Sequence, residues 1–145
     1  MTITATILET RVEEWDLDLI DDNPFNPRLF YKPAKIAEKA ISIKENGLLQ
    51  KPKGRIRDGR VQLAFGGYRI RAFRKLRKDE PKRWKTMPLE IEELTDEQMV
   101  VYALEENLRR DDNTSIEVAR AIEGFFTYYP ETTETLMAKK LNMTQ

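Results

Sequence analysis

Histidine and cysteine are both absent from this 145-residue chain, so any chemistry it performs must come from carboxylates, amides, hydroxyls, arginine and lysine. That excludes imidazole acid–base work, thiolate metal sites, cysteine nucleophiles and disulfides. Two stretches hold the remaining groups at useful spacings. The first is Ala64-Phe65-Gly66-Gly67-Tyr68-Arg69-Ile70-Arg71-Ala72-Phe73, read as the end of an apolar strand, a glycine pair and the start of a helix. Glycine lets a backbone approach a bound group closely. The first turn of a helix leaves N–H groups without internal acceptors, and the helix dipole adds to their pull on an anion. Arg69 and Arg71 would bring forked donors suited to phosphate. The stretch reads either as a phosphate cradle or as a plain strand-to-helix turn followed by a solvated basic helix, since a short Gly-rich turn is a weak motif.

The second stretch is Glu105-Glu106-Asn107-Leu108-Arg109-Arg110. Glu106 and Arg110 stand four apart and Asn107 and Arg110 three apart, so a helix puts them on one side. A carboxylate beside an amide oxygen offers hard ligands for Mg²⁺ bridging phosphates. The plainer reading is a surface Glu–Arg pair, worth little by itself.

Elements to position these groups can be read along the chain. Residues 2–11 form an arm or an edge strand. Glu13–Ile20 alternates around Trp15, Leu17 and Leu19 as a short strand, and Asp21–Arg28 is a loop. A helix follows from Pro33, with Ile36, Ala37, Ala40, Ile41 and Lys44 at helical spacing and Asn46-Gly47 as its stop. Strands near Gly54–Arg57 and Val61–Phe65 flank Asp58-Gly59, a hairpin signal. The helix opened by the glycine pair runs to about Lys78. Ile70, Phe73 and Leu76 should face its core, and Arg71, Arg74, Lys75 and Lys78 should share another face that is either solvated or set against DNA phosphates. Met87–Leu94 alternates as a strand. Thr95–Gln98 and Thr114–Glu117 match capping boxes that open helices through Met99, Val100, Ala103 and Leu104 and through Val118, Ala121, Ile122 and Phe125. A last helix holds Leu136, Met137 and Leu141.

Charge is segregated although the net charge is zero. Residues 51–85 carry 14 basic and 3 acidic side chains, against 6 and 9 in residues 1–50 and 5 and 13 in residues 86–145. A concentrated positive segment in a neutral chain suggests a local electrostatic site. No run of about 18 apolar residues suggests a membrane span. No basic region followed by an apolar one opens the chain, so a cytoplasmic protein without membrane partners is expected.

The order of these motifs resembles ParB-type partition proteins over residues 13–145. Asn23-Pro24 with Pro27-Arg28 is similar to that family's first loop, and Ser42-Ile43-Lys44-Glu45-Asn46-Gly47-Leu48-Leu49-Gln50 to its helix-and-loop signature. Gly66-Gly67-Tyr68-Arg69-Ile70-Arg71-Ala72 stands where the family has Gly-Glu-Arg-Arg-x-Arg-Ala, and Glu106-Asn107-Leu108-Arg109-Arg110 matches its Glu-Asn-x-x-Arg. Leu136–Gln145 resembles the first helix and turn of the helix-turn-helix that follows in the family.

The resemblance implies an α+β, ParB/sulfiredoxin-like fold: a small mixed sheet with helices, then C-terminal helices leading into a truncated helix-turn-helix. It divides the chain into a flexible arm at 1–12, a nucleotide-binding domain at 13–110 and the start of a DNA-binding domain at 111–145. It implies CTP binding with Mg²⁺, slow hydrolysis and a homodimer closing on DNA in partition or clamp loading; a ParA-like ATPase as partner is open but unsupported, since the short arm has no obvious basic peptide for one. By that match Gly66, Gly67, Tyr68, Arg69 and Arg110 would hold the nucleotide. Glu106 and Asn107 would meet the metal, with Glu106 also catalytic; Arg71, Arg74, Lys75 and Lys78 are the candidate DNA contacts by their helical spacing alone. Gly67 and Tyr68 depart from the family's Glu and first Arg, which bears on affinity and base preference. Tyr68 either stacks on a base or sugar or packs on the core. Sulfiredoxin has a similar Phe-Gly-Gly-Cys-His-Arg, but its chemistry is excluded without cysteine. A ParB-like metal-dependent DNase would use the same residues, and a transcription or replication accessory factor with a decayed pocket is the third reading.

Overall fold

The computed structural model describes residues 10–26, 30–109 and 115–128. The expectations for residues 1–9, for Pro27 and Arg28, for Arg110 to Thr114 and for the last helix with its turn lie outside the described residues. The described residues form two compact units, one of residues 10–22 and 30–93 and the other of residues 23–26, 94–109 and 115–128.

The first unit is built on a five-stranded mixed sheet. Its strands are β1 (Thr10–Asp16), β2 (Ile20–Asp21), β3 (Lys53–Arg57), β4 (Arg60–Leu63) and β5 (Thr86–Glu92), in the order β1-β5-β3-β4-β2. β5 is antiparallel to β1, with Trp15 opposite Met87, and parallel to β3, with Gly54 opposite Ile91. Strand periodicity puts Met87, Leu89 and Ile91 on one face, and all three are buried. β3 and β4 form the expected hairpin, with Asp58 at φ 54° and Gly59 at φ 76°. Both central residues in the left-handed region define the turn whose twist matches its strands.

Sequence alternation predicts one strand over Glu13–Ile20, and the structure corrects this. β1 ends at Asp16, a single 3-10 turn spans Leu17–Leu19, and the two-residue β2 joins the opposite edge of the sheet beside β4. The Asp16 carboxylate accepts the Asp18 N–H at 2.9 Å, and the Leu17 N–H donates to the Lys85 carbonyl at 3.1 Å. A local side-chain acceptor competes with the ladder and turns the chain. Period three then replaces period two, so Leu17 and Ile20 are buried and Leu19 is exposed.

Two helices pack together in this unit, α1 (Pro33–Asn46) and α2 (Gly67–Asp79). Pro33 opens α1, and Gly47, at φ 78°, ends it by donating its N–H to the Ile43 carbonyl at 2.8 Å. The buried residues of α1 are Ala40 and Ile43, while Ile41, expected on the apolar face, is exposed. α2 buries Ile70, Phe73 and Leu76 as its spacing predicts, and Ala72 besides. Trp84, between α2 and β5, is buried edge-on to Phe73 with centroids 5.3 Å apart.

In the second unit α3 (Asp96–Arg109) opens on a reciprocal capping box. The Gln98 N–H donates to Thr95 Oγ1 at 3.2 Å, and the Thr95 N–H to Gln98 Oε1 at 2.8 Å. α3 buries Met99, Val100, Ala103 and Leu104 as expected, and Phe25 with Ile122 and Phe126 of α4 (Ser115–Tyr128) packs against Val100, Val101 and Leu104. No helix among the described residues is long and apolar enough to cross a membrane.

Candidate functional site

Gly66 is the N-cap of α2 at φ 111°, a conformation that side chains rarely adopt, and it offers no side-chain cap to the first turn. The first internal bond of the helix is from the Ile70 N–H to the Gly66 carbonyl at 3.1 Å. Space excludes side chains as firmly as the dihedral does. A Cβ on Gly66 would lie 2.6 Å from Pro52 Cβ, and one on Gly67 would fall against the Tyr31 hydroxyl and 2.7 Å from Tyr31 Cε1. The glycine pair is thus bare backbone between two walls, one from the segment preceding β3 and one from the segment preceding α1. Both glycines are buried, and a side chain at either position would have to displace its neighbour.

Arg69, half-buried in the first turn, donates through Nη2 to Gln50 Oε1 at 2.9 Å, next to the Pro52 wall. Tyr68 belongs to the other wall. Its hydroxyl accepts the Lys32 N–H at 3.1 Å, and its ring meets Tyr31 edge-on with centroids 5.1 Å apart. These contacts hold the Tyr68 ring beside Tyr31, and both roles read for it stay open.

The basic face expected on α2 is divided. Arg71 forms a forked pair with Asp22, Nη1 to Oδ1 at 2.9 Å and Nη2 to Oδ2 at 2.8 Å, and also donates to the Gly67 carbonyl at 3.0 Å. Its guanidinium lies over the Tyr31 ring, 3.6 Å from the centroid. Arg74 donates to the Ile20 carbonyl at 3.0 Å, and burial pushes its guanidinium below the usual arginine value while Asp22 works in the opposite sense. Lys75 and Lys78 are exposed.

Glu106 and Asn107 lie in the second unit. Asn107 is fully buried, and its Nδ2 donates to Asn26 Oδ1 at 2.9 Å and to the Ala103 carbonyl at 2.7 Å. Its Oδ1 is buried with no hydrogen-bond partner among the described residues. A buried amide oxygen without a donor is costly. It fits a hard-cation ligand such as Mg²⁺ demands, and Glu106, half-buried, is its neighbour. Among the described residues no three or more carboxylates gather into a metal cluster. A cation there would rest on one or two side chains with its remaining oxygens drawn from ligand and water. Arg110 lies outside the described residues.

Sequence reasoning misses Tyr31, Pro52, Asp22 and Asn26. Tyr31 and Pro52 stand outside the quoted motifs, and only the three-dimensional path of the chain brings them to the glycines. Asn23 and Asn26 are visible in the sequence as turn formers, yet they also tie their loop to α3. Asn23 Oδ1 accepts the Phe25 N–H at 2.9 Å, and its Nδ2 donates to the Met99 carbonyl at 2.9 Å.

The profile of the ParB N-terminal domain matches residues 1–108, and the chain belongs to that family. Among curated relatives it is 33% identical over 125 residues to a nucleoid occlusion protein of Shouchella clausii, covering 86% of this chain and 42% of that one. It is 35% identical over 126 residues to a probable chromosome-partitioning protein ParB of Helicobacter pylori, covering 87% and 41%. The chain therefore spans about two fifths of the length of these relatives. Among solved structures, the C-terminally truncated chromosome-partitioning protein ParB of Caulobacter crescentus complexed with CTP-γ-S aligns with a TM-score of 0.55 at 25% identity, over 90% of this chain and 71% of that one. The same protein complexed to its centromeric parS site aligns with a TM-score of 0.63 at 22% identity, over 90% and 64%, a likeness of fold.

Proposed function

We propose that this chain is the nucleotide-binding module of a ParB-like partition or nucleoid-occlusion protein, taking CTP with Mg²⁺ and hydrolysing it slowly while associated with DNA as a homodimer. The observation that carries the reading is the glycine pair at the start of α2, where side chains are kept out at Gly66 by its dihedral and the Pro52 wall and at Gly67 by the Tyr31 wall. The Caulobacter crescentus protein complexed with CTP-γ-S supports the choice of nucleotide. The names of the relatives support a role in chromosome organisation. In this reading the backbone of Gly66 and Gly67 receives phosphate oxygens and Arg69 adds a charge-assisted contact. Glu106 and Asn107 are the residues that would hold Mg²⁺, which when bound offsets phosphate charge. Lys75 and Lys78 supply sequence-independent contacts to DNA phosphates.

Calorimetric titration with the four ribonucleoside triphosphates, with and without Mg²⁺, tests this. CTP should bind, and Arg69→Ala should weaken it by roughly ten- to a hundredfold. No binding by the unmodified chain, or unchanged affinity in the variant, overturns the reading. Glu106→Gln should slow hydrolysis more than it weakens binding, because an oxygen ligand remains while the charge is lost.

A further inference from the structure

Tyr31 is built into the cradle more tightly than packing of an aromatic on a surface requires. One edge of its ring occupies the volume that any side chain at position 67 would need. The Arg71 guanidinium covers one face at 3.6 Å, and Tyr68 meets the ring edge-on, their planes at 80°. Each of these neighbours is itself fixed. Arg71 is forked onto Asp22 and bonded to the Gly67 carbonyl, and the Tyr68 hydroxyl receives the N–H of Lys32, the residue after Tyr31. The segment before α1 is thereby strapped across the first turn of α2. At the neighbouring glycine Pro52 stands 2.6 Å from where a Gly66 Cβ would lie.

We propose that Tyr31 is a positioning residue of the phosphate cradle, matched to Gly67, and that its ring sets the width of the slot through which a nucleotide's phosphates reach the first-turn N–H groups. The proposal rests on the nucleotide reading given above. Charge-assisted hydrogen bonds depend steeply on distance and angle, so a wall fixed on several sides keeps the phosphates in register with the N–H groups. A slot that can spread loses that register.

The test is a double-mutant cycle on the 145-residue chain, with Tyr31→Ala, Tyr31→Phe, Gly67→Ala and the Tyr31→Ala/Gly67→Ala pair, reading CTP affinity with Mg²⁺ and, separately, the melting temperature without nucleotide. Tyr31→Ala should weaken binding about tenfold and Tyr31→Phe, which keeps the ring, less than about twofold. Gly67→Ala should weaken binding where the ring is present and add little where it is gone, the non-additivity expected of residues in contact. If Tyr31→Ala does not fold, Tyr31→Leu, which fills the space without a flat ring, takes its place under the same thresholds. Affinity within about twofold of the unmodified chain in either variant, with only the melting temperature lowered, overturns the proposal and leaves Tyr31 as packing. Failure of the unmodified chain to bind any nucleotide overturns the nucleotide reading, and this inference with it.

Discussion

Within one helix, the arginines and the lysines of α2 meet different fates. Arg71, Arg74 and Arg77 turn toward the segment from Asp18 to Asp22, where Asp22, the Ile20 carbonyl and Asp18 receive them. Lys75 and Lys78, interleaved with them in sequence, are exposed. The residue types follow from the task. The Arg71 guanidinium forks onto a carboxylate, reaches a backbone carbonyl and stacks on a ring at once, which a single ammonium on a flexible stem cannot do. The positive charge counted along residues 51–85 therefore overstates what an outside polyanion meets. Asp18, Asp21 and Asp22 neutralise part of it from a segment some 50 residues earlier.

The largest expected effect breaks the arginine side of this contrast. Arg71→Ala should cost about 2 kcal/mol, since the variant strands a partly buried Asp22 and uncovers Tyr31. At this chain length the melting temperature should then fall by about 5 °C. Arg71→Lys should recover less than half of the loss, because neither the fork nor the stack survives. A variant that melts like the unmodified chain yet loses DNA affinity would reverse the assignment and make Arg71 a phosphate contact.

The lysine side should respond in the opposite way. Lys75→Gln with Lys78→Gln should leave stability within about 0.5 kcal/mol, as exposed substitutions do. The same pair should weaken DNA binding uniformly across sequences and reduce the salt dependence of its logarithm by about 2. An unchanged salt slope would mean that α2 does not face DNA and that its lysines serve solubility alone.

That contrast marks what the sequence could and could not disclose. Local signals were strong wherever one element supplies its own rule. Asp58-Gly59 gave the hairpin, Pro33 and Gly47 bounded α1, Thr95 and Gln98 cap α3 reciprocally, and Met87, Leu89 and Ile91 marked β5. Likewise the glycine pair was legible as a helix start between strand and helix. The walls around it were not, because Tyr31 and Pro52 reach Gly67 and Gly66 only through the fold. Periodicity also misled between Asp16 and Asp21. There the leucines alternate, yet one carboxylate taking one backbone N–H converts the strand into a 3-10 turn and sends the chain to the far edge of the sheet. The sorting of α2's cations fails for the same reason. Helical spacing gives the face of a side chain but not the charge that another segment brings to it.

The smallest effect expected sharpens the contrast at its exposed margin. Arg60 forks onto Asp21, Nε to Oδ2 at 2.9 Å and Nη2 to Oδ1 at 3.0 Å, and it also donates to the Asp18 carbonyl at 2.8 Å. The hydrogen bond from Arg60 is the main reason that the Asp21 carboxyl lies below the usual aspartate value; slight burial opposes it, and the charges of Arg60 and Arg74 assist. A carboxyl whose pKa is lower folded than unfolded contributes stability that is complete above the unfolded value, about 4, and is lost as pH falls through the folded value. The melting temperature of Asp21→Asn should therefore lie below that of the unmodified chain at neutral pH, and the gap should close in acid. Both side chains are 45% exposed, so water and salt screen the pair. The gap should be no more than about 2 °C and should shrink further in about 1 M salt. Melting curves near pH 7 and near pH 3 check this. A gap that persists undiminished in acid would show that Asp21 acts through the backbone path of β2 and not through its charge.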